Sequence, residues 1–202
     1  MSPRFHVLPG RRARSASGQS LIEFALVLPL VLVVALGVIE TSWALLDEHV
    51  VTKLSREGSN LISRDTTIQD ATTAMRQMAT LPVNFDSGSS TVIFSVIKRG
   101  AITGTANYDK PFLYQRFSYG TYPGTSQFTT SGIGSFGGAP DYMANNPDTD
   151  SSLQITNAPA TLVPTPGQLI YVTEIFSQHQ LLTPLDRFGI AMPTTLSSIA
   201  FF

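Results

Sequence analysis

The chain has 202 residues, 43% of them hydrophobic, so it is long enough to bury one core and to carry an appendage. Its formal net charge is -1, but residues 1–18 contain four of the 13 basic residues and no acid, which leaves nine basic against 14 acidic residues, a charge of -5, in the remainder. This acidic balance excludes a nucleic-acid-binding domain, because phosphate recognition requires a basic face, and the absence of cysteine excludes disulfides and thiolate sites.

The first predicted element is a transmembrane helix over residues 19–46. Residues 24–39 carry no charge, and counting on to Trp43 gives 20 residues, about the length that crosses a 30 Å hydrocarbon core. Trp43 is predicted at the outer membrane boundary. Glu40 lies one turn inside that boundary, where its carboxylate is expected to reach either the headgroups or a partner.

Charged residues on either side of this helix predict its orientation. The arginines, Arg4, Arg11, Arg12 and Arg14, precede it, and Asp47 and Glu48 follow it. The positive-inside rule therefore places the N-terminus in the cytoplasm and the bulk of the chain outside.

Glu23 is unusual because it places a carboxylate where the apolar run begins, and the residues leave three explanations open. In the first explanation, Glu23 is the polar boundary of an uncleaved membrane anchor. In the second, residues 1–37 form a secretory signal peptide, with Ala35 and Gly37 as the small residues before the cut.

The third explanation is cleavage after Gly18. The order Gly18, four residues, Glu23 and then Phe24 at the start of an apolar helix is the processing signature of type IV prepilins. A membrane aspartyl peptidase cuts such chains after the glycine, so residues 1–18 are a basic prepilin-type leader and Gln19 becomes the first residue.

Three short motifs together resemble the TadE/TadG-like family of minor pilins, or pseudopilins, of tight-adherence pili. They are G-Q-S-L-I-E-F-A-L-V-L-P-L from Gly18, G-V-I-E ending at Glu40, and S-R-E-G over residues 55–58. The similarity covers roughly residues 18–64. Gln19 departs from the aromatic first residue usual in classical type IV pilins. The chain length and the lack of a D-x-S-x-S metal motif favour the short, TadE-like form.

The resemblance implies a non-enzymatic structural subunit needed to assemble a Tad (Flp-type IVb) pilus. It implies as partners the prepilin peptidase, other Tad pilins and pseudopilins, the inner-membrane assembly platform and membrane lipid. The location that it implies is the bacterial inner membrane, single-pass, with the C-terminal domain extracytoplasmic and incorporation into an extracellular pilus as a further option. The alternative hypothesis is a membrane-anchored or secreted binding domain unrelated to pili.

Helix chemistry gives Glu23 a role in that scheme. Cleavage exposes an ammonium at Gln19, and Glu23 lies four residues along the same helical face of this or a neighbouring subunit. A carboxylate and an amine that are desolvated together stabilise each other better than either is stabilised alone in lipid.

The predicted fold is α+β and pilin-like, a long N-terminal helix followed by a small antiparallel sheet. An apolar stripe continues the helix outside the membrane over residues 47–80, and it packs either on its own domain or against another pilin. Residues 81–202 form the β-rich domain. Its four predicted strands are 91–97, 112–118, 168–176 and 194–202, and residues of about 120–167 are expected to be an irregular, exposed, flexible loop.

No catalytic site, cofactor or metal site is predicted. The glycines at 132, 134 and 137 match G-x-G-x-x-G, but no strand precedes them and no helix is expected to follow. His6, His49 and His179 fall in the leader, the juxtamembrane helix and a loop. The stretch from Asn146 to Ser152 has alternating oxygens but lacks the glycine and glutamate of a calcium loop, so it is predicted to be a solvated acidic loop.

Overall fold

The computed structural model describes residues 16–202, so the four arginines and His6 of the predicted leader lie outside the described residues. The chain divides into two units, one ending at Ile39 and one over Glu40–Phe202. Helix α1, Ala16–Ser63, begins in the first unit and ends in the second.

The first unit is helical throughout its described part. Its large apolar side chains from Leu21 to Ile39 are exposed, apart from the half-buried Val33 and Leu36, and Pro29 lies inside the helix. Within the described residues, Gly18–Ser63 is long and apolar enough to cross a membrane, judged by length and composition, and no residue of its apolar window is buried. This finding is compatible with single-pass membrane anchoring.

The second unit is an α+β domain, as predicted. It contains the rest of α1, helix α2 at Ile68–Met78 and a four-stranded antiparallel sheet of order β2-β1-β3-β4. The strands are β1 (Ser90–Arg99), β2 (Pro111–Gly120), β3 (Leu169–Gln178) and β4 (Thr195–Phe201). All four correspond to predicted strands, because their alternating or continuous apolar runs are local signals.

The predicted uninterrupted helix to about residue 79 is wrong, because α1 ends at Ser63 and α2 starts at Ile68. Asp65 between them has a φ of 61°, which an α-helix does not accommodate. Thr67 caps α2, since its hydroxyl oxygen accepts a hydrogen bond from Asp70 N at 3.1 Å. The T-x-x-D spacing of Thr67 and Asp70 was the sequence signal for this break, and the continuous apolar stripe concealed it.

The helices cover one face of the sheet. Buried side chains of both helices pack against the sheet residues Val92, Phe94, Val96 and Ile175. The helical members of this cluster are Val51, Leu54, Ile62, Ile68, Ala71 and Met75. At Gly58, α1 comes so close to the sheet that an added Cβ would lie 2.7 Å from Thr173 Cγ2. The apolar stripe of the helix was predicted to pack either on its own domain or against another pilin. The structure shows it packed on its own domain.

The long loop between β2 and β3 covers the other face. It is irregular, as predicted, with short 3-10 turns at Ser151–Leu153 and Ala160–Leu162. It is not exposed throughout, because Phe128, Ala144, Leu153 and Ile155 are buried against the sheet residues Ile97, Phe112, Leu113 and Val172. The expectation of an exposed loop was wrong because scattered apolar residues in a Gly- and Pro-rich stretch show no period, yet they still bury.

Buried polar groups fix this loop to the sheet. Glu174 Oε1 accepts a hydrogen bond from Gln127 N at 2.7 Å, and Glu174 Oε2 accepts one from Ser126 Oγ at 2.5 Å. Arg116, on the edge strand β2, donates to Ser126 Oγ at 2.6 Å. In the predicted acidic loop, Asp150 accepts from Ser152 N at 2.9 Å, so this carboxylate caps the local turn.

Candidate functional site

The predicted processing segment forms the first described turns of α1. Gly18 and Gln19 are exposed, and so are Glu23 and Phe24. Gln19 Nε2 donates a hydrogen bond to Glu23 Oε1 at 3.0 Å, so residues 19 and 23 meet on one helical face. This i, i+4 contact is the spacing that the sequence predicts for a carboxylate facing the amine of a new first residue.

The structure gives Glu40 partners that the sequence did not indicate. Its side chain is 0% exposed and accepts hydrogen bonds from the segment after β3. Thr183 N and Thr183 Oγ1 donate to Glu40 Oε2 at 2.8 and 2.6 Å. Leu182 N lies 3.2 and 3.1 Å from the two oxygens and donates to both. Of the two predicted options for Glu40, headgroups or a partner, the structure shows a partner, and it lies in the same domain.

His179 connects Glu40 to a second carboxylate on α1. Its Nδ1 lies 2.7 Å from Asp47 Oδ2, and its Nε2 lies 3.4 Å from Glu40 Oε1. The Nε2 contact has ion-pair distance but lacks hydrogen-bond geometry. His179 N also donates to Thr194 O at 2.8 Å, next to the start of β4. We call Glu40, Asp47, His179, Leu182 and Thr183 the carboxylate clamp.

Burial limits the chemistry available to the carboxylate clamp. The side chains of Glu40 and His179 have no exposed surface, so a solute outside the domain does not contact them. A carboxylate that accepts several hydrogen bonds in a buried site instead fixes the segments that donate them. The carboxylate clamp therefore joins the part of α1 that follows Ile39 to the segment between β3 and β4.

Sequence reasoning missed this clamp because its two sides are far apart in the chain. Glu40 and Thr183 are 143 residues apart, and Asp47 and His179 are 132 apart. One local signal was available: Glu40 and Asp47 are seven residues apart, so they lie on the same side of α1 as the buried stripe. Two acids on the buried side of a helix require polar partners from elsewhere in the domain.

The remaining predicted site residue, Trp43, is partly exposed on α1 between the two clamp carboxylates. It lines a groove of about 440 Å³ together with residues from three other segments of the second unit. The groove is bordered by Leu81 and Pro82 after α2, by Asn84, Ser87, Gly88 and Ser89 before β1, and by Gln178, Gln180 and Leu182 at and after the end of β3.

Comparison with known proteins adds a family relationship to this geometry. Residues 18–60 match the family model described as TadE-like protein. We call this the TadE-like segment. The match confirms, over these residues, the resemblance to the TadE-like family drawn from the sequence motifs. Comparison with curated proteins and with solved structures finds no match.

The TadE-like segment contains part of each site described above. It begins at Gly18, the residue before the predicted cut, and it includes Glu23. It also includes Glu40 and Asp47, the α1 side of the carboxylate clamp, but not His179 or the segment that bonds to Glu40. The TadE-like match thus covers the helical side of the clamp, and the β-domain supplies the other side.

Proposed function

We propose that this chain is a minor pilin or pseudopilin-like subunit that is needed for assembly of a Tad (Flp-type IVb) pilus. It inserts in the bacterial inner membrane through α1, with its N-terminus cytoplasmic and its β-domain extracytoplasmic. A prepilin peptidase removes residues 1–18, and the mature subunit packs its helix against other Tad pilins and pseudopilins at the assembly platform.

The observation that carries this proposal is the position of Glu23 in the TadE-like segment. The segment starts at Gly18, and an exposed apolar helix follows Glu23. The Gln19 side chain already bonds to Glu23 Oε1 at 3.0 Å, so cleavage after Gly18 would place the new ammonium of Gln19 one helical turn before the carboxylate, on the same helical face. A charge pair of this kind compensates the desolvation of both groups when apolar helices pack together.

The exposed surface of α1 before residue 40 supports the same proposal. Its apolar side chains include Phe24 and Leu26 to Val34, and the described chain does not bury them. In water such a surface would be unstable, whereas lipid or the apolar helices of neighbouring pilins satisfy it. The charge-free run therefore serves both membrane insertion and helix packing.

The mature N-terminus tests the processing step. Intact mass of the protein purified from membranes is expected to correspond to a chain that starts at Gln19. A chain starting at Val38 would instead show a signal peptide, and one starting at Met1 an uncleaved anchor. Either of these results contradicts the pilin proposal and supports the alternative of a secreted or membrane-anchored binding domain.

The substitution Glu23→Gln tests the assembly step separately. It keeps size and hydrogen bonding but removes the charge, so cleavage after Gly18 is expected to continue while the ammonium of Gln19 lacks its partner. An uncompensated buried ion costs about 3–5 kcal/mol. At about 1.4 kcal/mol per tenfold change, docking to partner pilins is expected to fall by about two to four orders of magnitude.

This test requires two measurements on the same membranes, leader removal by mass and capture of partner pilins by crosslinking. Glu48→Gln removes one charge at an exposed position of α1 and serves as the matched control. Gly18→Val provides the unprocessed reference, because a branched side chain is expected to block the peptidase. Undiminished capture by the Glu23→Gln protein would reduce Glu23 to a helix boundary residue.

A further inference from the structure

We propose that the groove beside Trp43 is a lipid-contact surface, through which the β-domain rests on the headgroup region of the membrane that α1 crosses. The inference rests on the proposed membrane anchoring and adds a second contact, made by the domain itself. Its occupant is a bilayer of neutral or zwitterionic phospholipid.

Three exposed apolar side chains border this groove. Leu81 is 83% exposed, Leu182 is 55% exposed and Trp43 is 41% exposed. Single exposed leucines are ordinary on protein surfaces, but these come from three separate segments and meet at one groove. We call Trp43, Leu81 and Leu182 the apolar rim.

The carboxylate clamp ties one member of the apolar rim, Leu182, to α1. Leu182 N donates to the Glu40 carboxylate, so the exposed Leu182 side chain is held beside residue 40. Residue 40 directly follows Ile39, the last residue of the exposed apolar run. Trp43 lies less than one turn further along α1, and tryptophan prefers the membrane–water interface. One member of the apolar rim, Trp43, therefore follows the proposed membrane run directly in sequence, and a second, Leu182, is bonded to the same stretch of α1.

The rest of the groove has the chemistry of a headgroup region. Its other lining residues include uncharged hydrogen-bonding side chains, namely Asn84, Ser87, Ser89, Gln178 and Gln180. None of the described lining residues is basic, and the acidic one, Asp47, is engaged with His179 at 2.7 Å. A surface that bound anionic lipid would present Lys or Arg. Apolar side chains beside uncharged polar ones instead match the boundary between acyl chains and neutral headgroups.

Site-specific fluorescence tests this surface directly. The chain contains no cysteine and one tryptophan, so single-cysteine variants and Trp43 report on defined positions. Leu81→Cys and Leu182→Cys would carry an environment-sensitive fluorophore in the full chain, reconstituted as one copy per nanodisc of phosphatidylcholine containing a spin-labelled quencher lipid. Ile133→Cys is the matched control, because Ile133 is 95% exposed, apolar and outside the groove.

Quenching at positions 81 and 182 is expected to exceed quenching at position 133 several-fold. It is also expected to stay unchanged when anionic lipid replaces part of the phosphatidylcholine. Equal quenching at all three positions, while spin-labelled lipid still quenches Trp43, would overturn the lipid-contact surface and leave the membrane anchor intact. If Trp43 is not quenched either, both the anchor and this surface are rejected.

Two other outcomes also contradict the inference. Quenching at 81 and 182 that appears only with anionic lipid would overturn the assignment to neutral headgroups. If the fluorophores at positions 81 and 182 report an apolar environment only when two copies share a nanodisc, and are not quenched by the lipid, the occupant of the groove is a second subunit instead of lipid.

Discussion

The two parts of α1 differ in what surrounds them, although they belong to one helix. Up to Ile39 none of the large apolar side chains is buried and most are exposed, and residues 24–39 contain no charged group. From Glu40 onward the helix buries polar side chains beside apolar ones. Ser55 bonds to the Ser198 hydroxyl of β4, and Ser59 donates to the Ala200 carbonyl of the same strand. The first part therefore depends on partners outside the described chain, while the second part is satisfied by its own domain.

This contrast shows that hydrophobicity alone does not mark the core of this protein. The most apolar segment has no buried residue, and Glu40, a carboxylate, is among the large side chains that are fully buried. A charged group is tolerated there because four hydrogen-bond contacts from the segment after β3 compensate its desolvation. Substitutions in matched pairs, one in each environment, test the contrast.

The largest effect is expected for Glu40→Ala. Removing the carboxylate leaves buried donors on Leu182 and Thr183 without an acceptor, and the free energy of unfolding of the β-domain is expected to fall by about 3–5 kcal/mol. Denaturant unfolding in detergent, followed by Trp43 fluorescence, measures the change. Glu48→Ala removes the same side chain from an exposed position of α1 and should have little effect. Equal unfolding curves for the two variants would mean that the carboxylate clamp does not stabilise the domain.

A second pair compares leucines in the two parts of α1. Leu54 is buried in the helix–sheet core, so Leu54→Ala is expected to lower the free energy of unfolding by about 2–5 kcal/mol, through lost burial and the cavity left behind. Leu30 is exposed, and Leu30→Ala should leave unfolding of the β-domain unchanged. The same denaturant titration serves both variants. A comparable loss from Leu30→Ala would show that the first part of α1 contributes to the domain core.

Two helical glycines sharpen the comparison further. An added Cβ at Gly58 would lie 2.7 Å from Thr173 Cγ2, whereas nothing lies within 4 Å of one added at Gly37. Gly58→Ala is expected to cost about 1–3 kcal/mol through overpacking, and Gly37→Ala should not destabilise the domain. Adding Thr173→Ser removes the opposing methyl group and should restore part of the loss. Absence of this rescue would place the strain elsewhere.

The smallest effect is a pH dependence confined to the second unit. The Tyr119 hydroxyl, 2.7 Å from Asp86 Oδ1, and then the Arg76 guanidinium hold the pKa of Asp86 below its ordinary value. A carboxyl whose folded pKa is lowered stabilises the fold above its unfolded pKa, and this contribution disappears as the pH falls through the folded pKa. Asp86→Asn should therefore lower Tm slightly at pH 7 and lose less Tm on acidification than the parent protein.

Thermal scans at neutral pH and at about pH 3, below the ordinary range for aspartate, measure this difference. Glu57→Gln, at an exposed position in α1, controls for the loss of one negative charge. An identical acid response of the parent protein and Asp86→Asn would show that the Asp86 contacts do not contribute to stability. The effect is expected to be small because both members of the ion pair are largely exposed.

The sequence by itself determined the elements that depend on neighbouring residues. The charge-free run after Glu23 predicted a membrane-length helix. A continuous apolar run predicted β1, and alternation predicted β2 to β4, because such patterns are set by the geometry of one segment. The order from Gly18 to Phe24 pointed to the TadE-like family, which the match over residues 18–60 confirms. Cleavage after Gly18 stays a prediction.

Only the tertiary structure decided how distant segments satisfy one another. It placed His179 and Thr183 against Glu40 and Asp47, and it buried Phe128 and Leu153 from the irregular loop on the far face of the sheet. No local pattern specifies such pairs, because a buried carboxylate is stable only when donors from elsewhere in the fold compensate its lost hydration. The same dependence on packing brings Leu81 and Leu182 beside Trp43, which forms the groove that we propose contacts lipid.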